Sequence, residues 1–348
     1  MSRRGDEILN ESLARLSRTG PEFGGGLSNH GPMAAEALVR LDRADAVEHW
    51  VDSYITKLDD APRPSARITD DTWPAALGDA RRVADWQAYL AAQLADEPWR
   101  DVLDRWWPRL APGLAASATH GIIRTSHAVR GLADARTAEP ERVAELARGL
   151  AYWAATYLAL PSARRPEGRL APATAIDRLP RHGTAPGRGL ITRALQAELA
   201  GNVELPLAVA ALRPPGDVSA DLLELAAGFA RQFLIYGHQA PIGMLHAVTA
   251  PTAARSVLHL LPAEAAGDTY DRLWQMGAAL VSVYSSGSTP RPLPDGQPPA
   301  ADDLADRAIA TGDEHAIKLT EACLRLHGEH PDPVLLHAAA QASELLGQ

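Results

Sequence analysis

Over most of this chain, apolar residues recur three and four positions apart, and only helices turn such a spacing into one continuous face. Alanine and leucine dominate the runs 83–95, 141–157, 220–236 and 270–284, which carry the pattern most clearly. Period-two alternation is hard to find, so no sizeable sheet is expected. The reading is all-α: one large helical-bundle-like domain over residues 28–348, behind a partly extended N-terminal segment, residues 1–27. Proline and glycine punctuate the helices. Asn29 and Pro32 mark a helix start, with proline in the first turn. Asp313 reads as the N-cap of a helix over 314–326. Two stretches, 161–189 and 285–300, are rich in proline and glycine and read as lids, binding loops or linkers. No internal repeat of fixed period is evident.

Composition narrows the function. The net charge is −9, which argues against a general nucleic-acid binder. No run of about 18 apolar residues exists to span a membrane, and the opening segment lacks the apolar core of an export signal. The single cysteine, Cys323, excludes an internal disulfide and fits a reducing compartment, so a cytoplasmic location is expected. The chain has no G-x-G-x-x-G after a strand, no Walker loop, no G-x-S-x-G and no H-E-x-x-H. A resident flavin or dinucleotide therefore has no motif to hold it. Lys57 and Lys318 are the only lysines among 34 basic residues. Such a bias reflects coding composition, and it singles out Lys318 as a position where an amine rather than any cation is used.

Histidines sit where apolar helical faces would otherwise run. His120 and His127 are seven apart and share a face with Ile123 and Arg124. His246 is surrounded by small apolar residues. His315 and Lys318 are three apart on one face, and His30 stands at a helix start. Each alone reads first as a satisfied core histidine. Together they suggest a metal site, because imidazole is the commonest metal ligand and facing helices are a frequent place to build one. An ammonium would repel a cation. A lysine joins a metal shell only when neutral or when CO₂ converts its amine to an anionic carbamate, a change closed to arginine, which stays protonated.

Four stretches in order, LSNHGPMAAEAL, ATHGIIRTSHAVR, MLHAVTAP and EHAIKLTEACLR, resemble the bacterial branch of the questin oxidase-like family. The resemblance runs from about Ser28 to the C-terminus. It implies an all-helical oxygenase that opens the central ring of an anthraquinone-type polyketide, with a Baeyer–Villiger-like outcome. It further implies one Fe(II) held by His30, His120, His246, His315 and carboxylated Lys318, with O₂ as co-substrate and NADPH as an external reductant. Five protein ligands leave one open position on an octahedral ion, unlike the two-histidine, one-carboxylate triad. The chain departs from the fungal pattern at Arg124, where those relatives have a second histidine, and at His127, where a tyrosine is usual. Both departures fall on the substrate side. His127 and Arg124 are the candidates for proton transfer and for holding a phenolate; the competing role is a hydrogen-bonded pair that only orients His120. The partner expected is a small aromatic polyketide. Two other readings stay open: a carbamate-bridged two-metal hydrolase drawing on Glu36, Asp313 or Glu314, and a metal-free helical binding protein. Trp106, Trp107, Trp153, Tyr157, Trp274 and Tyr284 read as core, and Trp99, Trp106 and Trp107 as packing for the helix of the second motif.

Overall fold

A computed structural model describes residues 2–135, 138–161, 164–182 and 191–347. Among them are seventeen α-helices and one two-stranded sheet, an all-α fold. No helix among the described residues is long and apolar enough to cross a membrane. The chain divides into two compact units, Met1–Ala159 with His259–Ala265 and Leu160–Leu258 with Ala266–Gln348.

The first unit contains α1 (Arg3–Leu16), α2 (Gly31–Arg40), α3 (Ala44–Ile55), α4 (Trp73–Ala76), α5 (Val83–Asp96), α6 (Trp99–Leu110), α7 (His120–Ala133) and α8 (Pro140–Ala155). Between α1 and α2 the strands β1 (Glu22–Phe23) and β2 (Leu27–Ser28) pair antiparallel, with Glu22 opposite Ser28. Gly24, Gly25 and Gly26 close the turn at positive φ, a conformation open to glycine at little cost. Trp86, Trp106, Trp107 and Trp153 lie in the core of this unit. Trp86 and Trp106 meet edge to face at 5.4 Å, and Trp107 meets Trp153 of α8 at 5.3 Å. Trp153 in turn abuts Gly121 of α7, where an added Cβ would come within 2.8 Å of its Cα and Cβ. Thus Trp107 packs the helix of the second motif through Trp153, whereas Trp99 is half-buried beneath Arg100.

The second unit contains α9 (Pro172–Asp177), α10 (Ile191–Leu199), α11 (Glu204–Ala211), α12 (Val218–Tyr236), α13 (Pro241–Arg255), all but the first three residues of α14 (Ala263–Tyr284), α15 (Ala301–Thr311), α16 (Glu314–Glu329) and α17 (Pro333–Leu346). α12 packs on α13 and α17, and α13 on α16. Asp313 caps α16 by accepting from the backbone N–H of His315 and Ala316, as its sequence position suggests. The stretch 285–300 is irregular. The stretch 161–189 holds the short helix α9, and its residues 162–163 and 183–189 lie outside the described ones.

The close approach of α7 and α8 depends on Gly121 and on Gly149, whose Cβ position lies 3.1 Å from Thr125 Cα. Gly121→Ala must push these helices apart. We expect it to destabilise the protein by about 1–3 kcal/mol, the usual cost of overpacking, measured by chemical unfolding of both proteins.

Candidate metal centre

The four sequence stretches share one structural property. Residues 28–39, 120–132, 243–254 and 314–323 are buried at every position. A helix covered all round is ordinarily apolar all round. These segments instead carry histidines, arginines, acids and a lysine, and each such group must find a partner or change its charge state.

In the first unit, Asn29 anchors the start of α2. Its Oδ1 accepts from Gly31 N at 2.9 Å, and its Nδ2 donates to Gly20 O at 2.8 Å. The neighbouring His30 N–H donates to the Tyr54 hydroxyl at 2.8 Å. His30 and the first residue of α7, His120, are brought together with ring centroids 4.4 Å apart. Before His120, the residues Ser117, Ala118 and Thr119 take φ values of 42°, 55° and 72°. That is three consecutive left-handed L-residues, each costing roughly 1–2 kcal/mol. The run brings Ser117 O to His120 Nδ1, 2.5 Å away.

Along α7, the other two candidates are held by acids. Arg124 gives Nε and Nη2 to the two oxygens of Glu145 on α8, at 2.6 and 3.0 Å. His127 Nδ1 lies 2.8 Å from Glu36 Oε2 on α2. Arg130, one turn on, donates to both Glu36 oxygens, and Arg40 Nε reaches Oε1 at 2.9 Å. Burial alone would raise the Glu36 carboxyl. Arg130, the His127 hydrogen bond and Arg40 outweigh it and hold the group well below the usual carboxylate range.

In the second unit, His246 on α13 and His315 on α16 meet edge to face at 5.6 Å. His246 Nδ1 is 2.5 Å from Ile242 O, one turn back. Burial, His315 and Lys318 all push the His246 imidazole well below its usual range, so it is neutral. His315 Nδ1 is 3.3 Å from Asp313 Oδ1. Lys318 is 2% exposed, and its Nζ has no hydrogen-bond partner among the described residues. Burial brings its ammonium down to about 8 against the opposing pull of Glu314 and Asp313.

Each unit therefore buries part of the donor set: His30 with His120 in one, His246 with His315 and Lys318 in the other. His30, His120 and His315 each offer a buried imidazole nitrogen suited to a metal ion. Two of the three carboxylates named for a two-metal site are engaged otherwise: Glu36 by two arginines and His127, and Asp313 by the α16 cap; Glu314 Oε1 lies 3.9 Å from His315 Nδ1. The partners Glu145, Arg130, Tyr54 and the Ser117 carbonyl were not evident from the sequence. Only Arg130 left a signal, its three-residue spacing from His127. The chain matches no family model, and no curated protein matches it.

Two stability effects follow. Glu36→Gln leaves Arg130 and Arg40 without their buried counter-charge, and we expect a loss of about 3–5 kcal/mol. The folded Glu36 titrates below the unfolded one, so its contribution is full above pH ~4.5 and is lost as pH falls further. Urea unfolding from pH 7 to 3 should show a steeper decline in the wild type than in the variant, because the other carboxylates held low in the fold remain in both. Lys318 acts in the opposite sense. Its folded form gives up the proton near 8 and its unfolded form near 10.5, so the ammonium is a cost that is complete below pH 8. Lys318→Met should stabilise the metal-free, CO₂-free protein at pH 7 by about 3 kcal/mol. The gap should close as pH rises toward 10.5.

Proposed function

We propose that this chain is a non-haem iron oxygenase that cleaves a carbon–carbon bond in the ring of an aromatic polyketide of the anthraquinone type. The observation that carries the reading is Lys318, a buried amine with no hydrogen-bond partner among the described residues, three positions from a buried histidine on the same helix. An apolar side chain would serve a purely structural role better. As a metal donor the position makes chemical sense. The neutral amine attacks CO₂, its nitrogen lone pair forms the N–C bond, and one proton leaves to solvent. The product is an anionic carbamate with two oxygen donors. The four histidines named with it are neutral donors of the kind iron accepts, so the residues present fit the ion.

In this reading the residues that would hold an Fe(II) ion are those named by the resemblance, His30, His120, His246, His315 and carboxylated Lys318. Ferrous iron, when bound, would supply the activation of dioxygen. His127 accepts the phenolic proton of the substrate at Nε2, and ionised Glu36 stabilises the imidazolium that forms. Arg130 and Arg40 keep Glu36 ionised. Arg124, braced by Glu145, presents its remaining Nη1 edge to the substrate oxygen. The substrate is an electron-rich hydroxylated aromatic, with NADPH as the external source of electrons. The order of the four sequence stretches supports this class.

Elemental analysis of protein produced with iron supplied should give one iron per chain. Lys318→Arg and His120→Ala should lose it while keeping their helical circular-dichroism signal. His127→Ala should keep the iron and lose turnover by 10²–10⁴-fold, the usual contribution of a positioned acid or base. Absence of stoichiometric metal, or full iron in Lys318→Arg, rejects the reading. Two metals per chain would support the hydrolase.

A further inference from the structure

We infer that α1 is a hinged lid over the cavity in which Arg124 and His127 meet, and that Arg142, which latches the lid, becomes the anchor for an anionic aromatic ligand when the lid lifts. The inference rests on the substrate side assigned to Arg124 and His127 above. Both residues line a cavity of the first unit together with Leu9 and Leu13 of α1 and Arg142 of α8. Its free space is about 10 Å³, room for one water molecule. A fused aromatic ligand needs roughly 300 Å³ or more, so one wall has to move. The walls from α2, α7 and α8 are tied to one another by buried arginine–glutamate pairs. The wall from α1 is apolar where it faces the cavity.

The two ends of α1 are held differently. At its C-terminal end Leu16 presses on Gly31, where an added Cβ would come within 2.6 Å of a leucine methyl, and Arg15 pairs with Asp52 of α3. Nearer the N-terminus the tie is Arg142, which is 1% exposed. Its Nε donates to Asn10 Oδ1 at 2.7 Å, its Nη2 to Asp6 Oδ1 at 2.7 Å, and its Nη1 to Gly131 O at 2.6 Å. Both side-chain acceptors stand on α1, one turn apart. The Asp6 carboxylate is 32% exposed, so water competes for it and the latch can part. Lifting α1 about its Leu16 end removes both acceptors at once. Arg142 then keeps only the Gly131 carbonyl and faces the widened cavity with Nε and Nη2. A phenolate entering there replaces the carboxylate of Asp6, a charge-assisted exchange that a neutral ring system cannot offer. Arg124 holds Glu145 throughout, so Arg142 is the cation that selects for the anion.

The test is amide hydrogen exchange and equilibrium binding in the metal-free full chain at pH 8. The probe is alizarin, a dihydroxyanthraquinone that is ionised there. Saturating alizarin should speed exchange in the N-terminal half of α1 at least tenfold and leave α7 protected, because the lid cannot reseat over the ligand. Asp6→Ala/Asn10→Ala removes the latch and keeps the anchor; it should exchange faster in α1 without ligand and bind alizarin about tenfold more tightly, since more of the chain is already open. Arg142→Met removes both; α1 should exchange as fast, with alizarin bound no more tightly than by wild type. The uncharged dimethyl ether of alizarin should bind wild type at least tenfold more weakly. Should the double variant fail to fold by circular dichroism, Asp6→Ala alone, which leaves Asn10 to Arg142, carries the same test with a threefold gain. Alizarin bound with α1 protection unchanged overturns the lid. Arg142→Met binding as tightly as the latch-free variant overturns the anchor. If neither wild type nor the latch-free variant binds alizarin while α1 still exchanges faster in the variant, the substrate roles of Arg124 and His127 fail, the anchor fails with them, and the lid stands.

Discussion

Charge buried inside a helix that has no exposed face is the constraint on which the first unit is built. α7 is covered on all sides from His120 to Leu132, yet it carries two arginines and two histidines. A buried guanidinium without a counter-charge takes away a large share of a domain's whole stability. Glu145 of α8 and Glu36 of α2 answer Arg124 and Arg130, and their oxygens are aligned on the guanidinium forks. The helices α2, α7 and α8 are thereby locked in register. Gly121 and Gly149 let α7 and α8 come close enough for the Arg124–Glu145 pair to form in two places. Sliding any of the three helices by one turn would strand several charges at once. His120 and His127 inherit that rigidity, because they ride on the same helix.

The second unit meets the same constraint with a different cation. Lys318 is buried as deeply as the arginines of α7, but no carboxylate forms a hydrogen bond to its Nζ among the described residues. Asp313 is occupied by the α16 cap, and Glu314 acts on the amine only through its field. Arginine here would keep its charge, since its guanidinium cannot shed the proton. Lysine can, and burial brings the group near neutrality within reach of ordinary pH. In a chain that otherwise uses arginine almost throughout, the division is informative. At these buried positions arginine stands where a carboxylate matches its charge, and Lys318 where the amine can lose its proton.

Much of the helical frame was legible in the sequence. The periodic runs at 83–95 and 220–236 correspond to α5 and α12 within two residues, because an amphipathic face dictates them locally. The run at 270–284 is only the later part of α14. Its first two turns, from Ala263, lack the apolar spacing and are helical in their tertiary setting. The run at 141–157 overshoots α8, which ends at Ala155 as Leu158 leaves to bridge Leu114. At the site, the histidines, Lys318 and the Asp313 cap could be named from spacing and residue type. Their partners could not. Glu36 lies 91 residues from His127, and nothing local distinguishes it from a solvated glutamate. The left-handed run before His120 contains no glycine to announce it, because tertiary packing, not residue preference, holds it there.

What each histidine can do is set by the oxygen behind it. His120 and His246 have a neutral carbonyl at Nδ1. A carbonyl orients the ring but does little for a second proton, and burial holds the His246 imidazolium far out of reach. The His246 ring is therefore held neutral. His127 has a carboxylate at the same atom, and two arginines keep that carboxylate ionised. A fixed negative charge at hydrogen-bond distance stabilises an imidazolium, as the aspartate does in a serine-protease triad. In the proposed reading the same side chain, pinned at the same nitrogen, would be a donor atom in one setting and a proton acceptor in the other, the difference lying in whether an amide oxygen or a glutamate faces Nδ1.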